Sequence, residues 1–167
     1  MSVATVVDES PAAWPRIRPW LGTVARLALA GVFFAAGWSK ITDLAASGRG
    51  VNAYRIVPYA AAKAIGAGLP FVEIALAVLL LLGLATRFAA SVAGLLLVVY
   101  IAAIASVWAR GMSIDCGCFG DGGQLAAGQH PSYLPDILRD IGLLAIAVLL
   151  FLIGRTRMAV DNVLGTG

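Results

Sequence analysis

Charge is scarce in this sequence. Only 13% of its 167 residues are Asp, Glu, Lys or Arg, against 60% hydrophobic residues, and mean hydropathy is strongly positive. A soluble domain of this size could not bury so much apolar surface and would carry large exposed patches. The shortage of charge therefore excludes an ordinary soluble domain and makes a bilayer the natural solvent. Clustered basic charge is missing too. Beyond Arg155-Thr156-Arg157, the twelve Lys and Arg residues are scattered at helix ends and in loops. A net charge of +3 so distributed fits lipid headgroups and not a nucleic-acid partner.

Other absences narrow the reading further. Gly120 to Gly123 is glycine-rich, but no Gly-Lys-Ser/Thr follows and no strand precedes it, which rejects a phosphate loop. The first nineteen residues hold Asp8, Glu9 and three prolines where a signal peptide would have a short basic region. Residues 1–19 are expected to be a polar, disordered cytoplasmic lead-in, and neither end shows a lipidation motif. Histidine occurs once, as His130, and reads most simply as a solvated loop residue.

Four apolar runs are long enough to cross a hydrocarbon core, which needs about 20 helical residues. They are Trp20 to Trp38, Leu69 to Ala85, Phe88 to Trp108 and Ile137 to Ile153. The second extends upstream through Ala60 to Gly68 if the chain kinks at Pro70. Pro135 and Asp136 suit the first turn of the last, where a missing N–H and a negative charge are tolerated. Thr86-Arg87 alone joins the second run to the third, which forces an antiparallel hairpin. The expected fold is an all-α membrane protein, a four-transmembrane-helix up-and-down bundle over residues 20–155, with 156–167 a short cytoplasmic tail. Gly31 with Ala35, and Ala89 with Ala93, offer small-residue seams for close helix approach. Trp38, Tyr54, Tyr59 and Trp108 read as interface anchors rather than a quinone site.

Cysteine is as rare as cysteine can be while still forming a pair. Cys116 and Cys118 stand together in Asp115-Cys116-Gly117-Cys118-Phe119-Gly120. Four readings compete. A cycling disulfide over one intervening residue is strained, with Gly117 permitting the turn, and strain raises the reduction potential. It closes too short a loop to serve as a good staple. Alternatively both thiolates bind a soft metal, Cu(I) or Zn, but two ligands are too few without a partner, and His130 is distant. The cysteines could instead be structural or separate thiols, or one could be a nucleophile with a histidine base. Redox cycling requires an oxidising compartment outside the cytoplasmic membrane, which puts the cysteine loop outside and both termini inside. The positive-inside count is otherwise tied, with the short Arg87 turn weighing toward the same orientation.

Ionisable groups also fall within or beside the runs: Glu73 in the second, Arg139 and Asp140 in the fourth, and Lys40 just past the first. Their shared depth beneath the cysteine loop permits a cluster of Glu73 with Arg139 or Lys40. One reading is an interhelical ion pair that sets register; the other is a positive charge favouring the thiolate of Cys116 or Cys118. Arg26 lies near the inner end of the first run, where a long side chain snorkels to headgroups.

Several of these residues together resemble the MauE family, within the wider DoxX-like group of four-helix bacterial membrane proteins. The matching residues are Ala36-Gly37 with Lys40, Tyr54-Arg55-Ile56-Val57-Pro58, Leu69-Pro70 with Glu73, and Arg110-Gly111 followed by Asp115-Cys116-Gly117-Cys118-Phe119-Gly120, then Arg139-Asp140. The resemblance covers roughly residues 20 to 155 and implies redox-linked maturation of an extracytoplasmic protein, as for the disulfide-rich β-subunit of methylamine dehydrogenase. It implies a thioredoxin-like partner and a disulfide-containing client. It supports membrane thiol–disulfide chemistry better than it supports methylamine as the pathway. A second cysteine pair of the kind quinone-coupled disulfide oxidases use is absent, so a quinone would enter only through a partner. Whether the chain is itself a component of a thiol–disulfide oxidoreductase, a non-catalytic anchor of one, or a metal handler stays open at this point.

Overall fold

A computed structural model describes residues 14–116, 123–125 and 130–153. Five helices and one short β-hairpin make up these residues: α1 Trp14–Ile41, α2 Leu44–Ala53, α3 Tyr59–Leu82, α4 Thr86–Ala109, β1 Ile114–Asp115, β2 Gly123–Gln124 and α5 Tyr133–Ile153. Four of the helices are long. They pack in a closed cycle, α1 on α3, α3 on α4, α4 on α5 and α5 back on α1, which is the expected up-and-down order.

Three of them are long and apolar enough to cross a membrane: Pro19–Ile41, Tyr59–Leu82 and Thr86–Ala109. The fourth, α5, differs at its start, where Asp136, Arg139 and Asp140 interrupt the apolar sequence. From Ile141 onward it is uncharged to its end. The described residues thus form a mostly helical, multi-pass membrane protein with three clear spans.

Three expectations need correction, and one is met. Helix α1 begins at Trp14, inside the stretch expected to be disordered. The upstream extension of the second run is met, since α3 runs from Tyr59 through Pro70, and α2 adds a further helix to the first connection. The fold is not wholly α: β1 and β2 pair antiparallel, Ile114 opposite Gln124 and Asp115 opposite Gly123. Gly31 and Ala35 are exposed on α1, so they form no seam between these helices, whereas Ala89 and Ala93 are fully buried.

Pro70 explains why α2 exists where it does. Inside α3, proline supplies no N–H to the carbonyl four residues earlier, that of Gly66. A buried carbonyl left without a donor is costly. The hydroxyl of Ser47, on α2, donates to it at 2.7 Å. Gly66 also lets α2 come that close, since a Cβ there would lie 2.5 Å from the Gly48 Cα. Helix α2 is capped by Asp43, whose carboxylate accepts the Ala46 amide at 2.8 Å. It ends with Arg55 in the left-handed region, φ +51°, a conformation that turns the chain toward Pro58 and α3.

At the opposite end, Gly83, at φ +68°, closes α3, with the Leu84 amide reaching back to the Leu79 carbonyl. The half of the bundle nearest this turn is a dry core of Leu29, Ala30, Phe33, Leu76, Ala77, Leu80, Ala89, Ala90, Ala93, Leu97, Ala147 and Leu150.

Candidate functional site

Buried polar side chains occur at both ends of the bundle: near the Gly83 turn Arg26, expected to snorkel, is instead 2% exposed, with Thr23 and Thr86 also buried, while the larger share lies at the opposite end. Two sets lie inside the helices and a third holds the hairpin.

The first set joins three helices. Lys40, in the last turn of α1, donates to both carboxylate oxygens of Glu73 on α3, at 2.9 and 3.0 Å. Tyr100 of α4 donates its hydroxyl to the same carboxylate at 2.8 Å. The ion pair is dry: the Lys40 side chain is 6% exposed and that of Glu73 is 0%. The close approach comes from Gly37, one turn before Lys40. A Cβ there would fall 2.7 Å from Ile74 Cγ1 and 3.0 Å from the Pro70 carbonyl. Of the two cationic partners that the sequence allowed Glu73, the structure gives it Lys40.

Arg139 instead serves its own helix. Its guanidinium donates to Asp140 at 3.0 Å and to Asp136 at 3.2 Å. Asp140 is 2% exposed, and its second carboxylate oxygen has no hydrogen-bond partner among the described residues. The register of α4 against α5 is read from Trp108 beside Tyr133 and from Gly94 facing Ala147. Carried along the helices at about 1.5 Å per residue, it sets Asp140 level with Tyr100. Four helices therefore place polar groups in one layer. Both cations that might have favoured a thiolate are engaged by carboxylates in that layer.

The third set holds the hairpin. Gly111, at φ +64°, ends α4, and the Met112 amide reaches back to the Val107 carbonyl. From there Tyr133, in the first turn of α5, accepts the Ile114 amide at 2.9 Å and donates to the Met112 carbonyl. Tyr54, at the end of α2, donates to the carbonyl of Cys116 at 2.7 Å. The Tyr54 carbonyl in turn accepts the Arg110 guanidinium, which also donates to the Ser106 carbonyl at 3.0 Å. Ile104, Val107, Ile114 and Tyr133 form a small buried cluster beneath, with half-buried Cys116 packed against it.

Asp115 is exposed on β1, opposite Gly123. Gly117 and Cys118 lie outside the described residues. His130 is exposed. No group of three His, Cys, Asp or Glu side chains able to hold a metal occurs among the described residues. Sequence reasoning missed the roles of three tyrosines. Tyr54 stands at the membrane border as an interface anchor would, and Tyr100 and Tyr133 belong to no motif. The available signal was that a phenol within an apolar span or at its border needs a polar partner when buried. Trp38, Tyr59 and Trp108, by contrast, are exposed as anchors are.

The helices, the buried ion pair and the tethered hairpin define a multi-pass helical membrane protein whose hydrogen-bonded ion pair and hairpin lie at the same end. Residues 18–153 match the family model described as methylamine utilisation protein MauE, and the chain belongs to that family. The methylamine utilization protein MauE of Paracoccus denitrificans is 36% identical over 133 residues, covering 79% of this chain and 69% of that protein. No solved structure matches the chain.

Proposed function

We propose that this protein supports thiol–disulfide maturation of an extracytoplasmic client, with Cys116 and Cys118 exchanging electrons with a thioredoxin-like partner. The methylamine utilisation family makes the β-subunit of methylamine dehydrogenase the natural client class. The observation that carries the reading is the attachment of Cys116. It stands seven residues beyond the end of α4, past the apolar span, yet its main chain is tethered to α2. A dithiol held at the membrane surface in this way suits exchange with a soluble domain.

The exchange balances without any further reagent. A thiolate of the pair attacks the partner's disulfide and forms a mixed disulfide. The second cysteine then attacks its neighbour, closing the Cys116–Cys118 bond. Two electrons pass to the partner, whose thiolates take up the two protons. The reverse sequence transfers electrons the other way, and a quinone would enter only through the partner's own redox cycle.

In this reading α5 is the fourth span, its charged first turns at the outer border. Both termini then face the cytoplasm and the hairpin faces outward. An oxidising exterior and the short Arg87 turn support that orientation. Impermeant thiol labelling of intact cells after treatment with an impermeant reductant tests it: labelling of Cys116 from outside is expected, and protection until lysis overturns it.

The exchange itself is tested by trapping. Cys116→Ser and Cys118→Ser are expected each to retain one thiol that forms a mixed disulfide with the partner at different yields. A pair that stays inert across a wide range of redox buffers sinks the idea. The buried Lys40–Glu73–Tyr100 set favours a second reading, a non-catalytic anchor for an oxidoreductase, because it stabilises packing without involving sulfur. That reading expects the Cys116→Ser/Cys118→Ser double variant to mature its client normally.

A further inference from the structure

Two phenols pin the segment that carries Cys116. Tyr133 holds it at Met112 and Ile114, and Tyr54 holds it at Cys116 itself. The two come from different parts of the bundle, α5 and the end of α2. Tyr54 is fixed in its own right. Its amide donates to the carbonyls of Val51 and Asn52, and its carbonyl takes the Arg110 guanidinium. The hydroxyl therefore sits on a braced platform, 62 positions away in sequence from the carbonyl that it meets.

We propose that Tyr54 is a positioning residue for the redox pair: its hydroxyl fixes the Cys116 main chain so that closing the disulfide costs less conformational freedom. The inference rests on the reading of Cys116 and Cys118 as an exchanging pair. The physical cause is simple. An oxidised ring over one intervening residue is restrained whether or not it is tethered. The β1–β2 pairing holds the segment as far as Asp115 and Tyr54 adds a contact at Cys116, and ordering backbone costs free energy for each residue fixed. A tether present in both states removes freedom mainly from the reduced one and so favours the disulfide. Tyr133 cannot do this alone, because its hydrogen bonds stop two residues short of Cys116.

This assigns a role to a side chain outside the cysteine motif. It also predicts that the redox equilibrium responds to a change in a different loop. Arg110 joins the same device at one remove, since it braces Tyr54 through the carbonyl.

The test is a redox titration of the full chain in lipid nanodiscs against dithiothreitol buffers, read by thiol alkylation and mass. Tyr54→Phe keeps the ring and removes only the hydroxyl. Because the tether is present in both states, only its differential effect counts, so losing it shifts the equilibrium toward the dithiol by at most about fivefold, the full worth of one hydrogen bond, with thermal stability close to wild type. Arg110→Gln is expected to move it in the same direction by less, and gives a second reading on an exposed side chain. Superimposed titrations for wild type and both variants overturn the proposal, as does a fall in stability with an unmoved equilibrium. If the wild-type cysteines fail to equilibrate with any buffer, the exchange reading falls first. That outcome is distinct from a wild type that cycles and a Tyr54→Phe variant that matches it.

Discussion

The two halves of the bundle are held together by different physics. Toward the Gly83 turn, leucines and alanines make up the core, and the one charged side chain buried among the described residues there is Arg26 of α1. Toward the hairpin, a dry ion pair and three tyrosines join the elements. In lipid, burying apolar area supplies little drive between helices, so close packing of small residues or polar contacts must do so. The first half uses Ala89, Ala90 and Ala93, and the second uses Lys40, Glu73 and Tyr100. The apolar half tolerates gradual change. In the polar half, a single deletion orphans a buried partner.

The largest effect expected from breaking that contrast is at Glu73. Glu73→Ala removes the carboxylate from the buried Lys40 ammonium, and breaking a buried ion pair from one side costs about 3–5 kcal/mol. Unfolding in mixed detergent micelles measures it. The Lys40→Met/Glu73→Leu/Tyr100→Phe triple variant is expected to recover most of the loss, because it removes the acceptor together with both of its donors. A triple variant as unstable as Glu73→Ala would show that the set itself drives helix association.

Next in size is Gly37. An added methyl would press on Ile74 and on the Pro70 carbonyl, and crowding of this kind costs about 1–3 kcal/mol. Gly31→Ala is the matched control on the same helix. Nothing lies within 4 Å of the added carbon, so stability should hold or rise slightly with helix propensity. Equal losses at both positions would mean that α1 does not approach α3 as described.

These two glycines also show what the sequence can and cannot express. Four long helices were legible because apolar run length and the two-residue Thr86-Arg87 turn are properties of the chain alone. The partner of Glu73 was not. Lys40 and Arg139 lie at similar depth, and only the rotation of each helix about its axis separates them. The same ambiguity hid the difference between Gly31 and Gly37, both small and both on α1. Helix α2 was missed because Leu44–Ala53 is short and carries two glycines, Gly48 and Gly50, which lower helix propensity. Its docking depends on a carbonyl freed by Pro70, a contact nineteen residues away in sequence. Of the candidate site, Cys116 and its motif could be read directly. The tyrosines that hold it come from other elements and carried no local pattern.

Non-additivity tests whether Ser47 answers the amide that Pro70 lacks. Ser47→Ala leaves the Gly66 carbonyl without a donor and should cost about 1–3 kcal/mol. Pro70→Ala restores an N–H to that carbonyl from within α3. In the Pro70→Ala background, Ser47→Ala should therefore cost well under half as much, and a double-mutant cycle gives the difference. Strict additivity would mean that the hydroxyl holds α2 for some reason other than the missing amide.

Tyr100→Phe gives the smallest change in stability and separates structural from chemical roles most cleanly. Glu73 keeps both contacts with Lys40 when the phenol hydroxyl is lost, so neither charge is orphaned. The expected cost is that of one hydrogen bond, about 1 kcal/mol. A purely structural layer predicts that client maturation follows stability and stays near normal in this variant. If maturation collapses while unfolding shifts only slightly, the layer takes part in the chemistry of the hairpin above it. The comparison between the two halves would then mark a functional boundary as well as a change in packing.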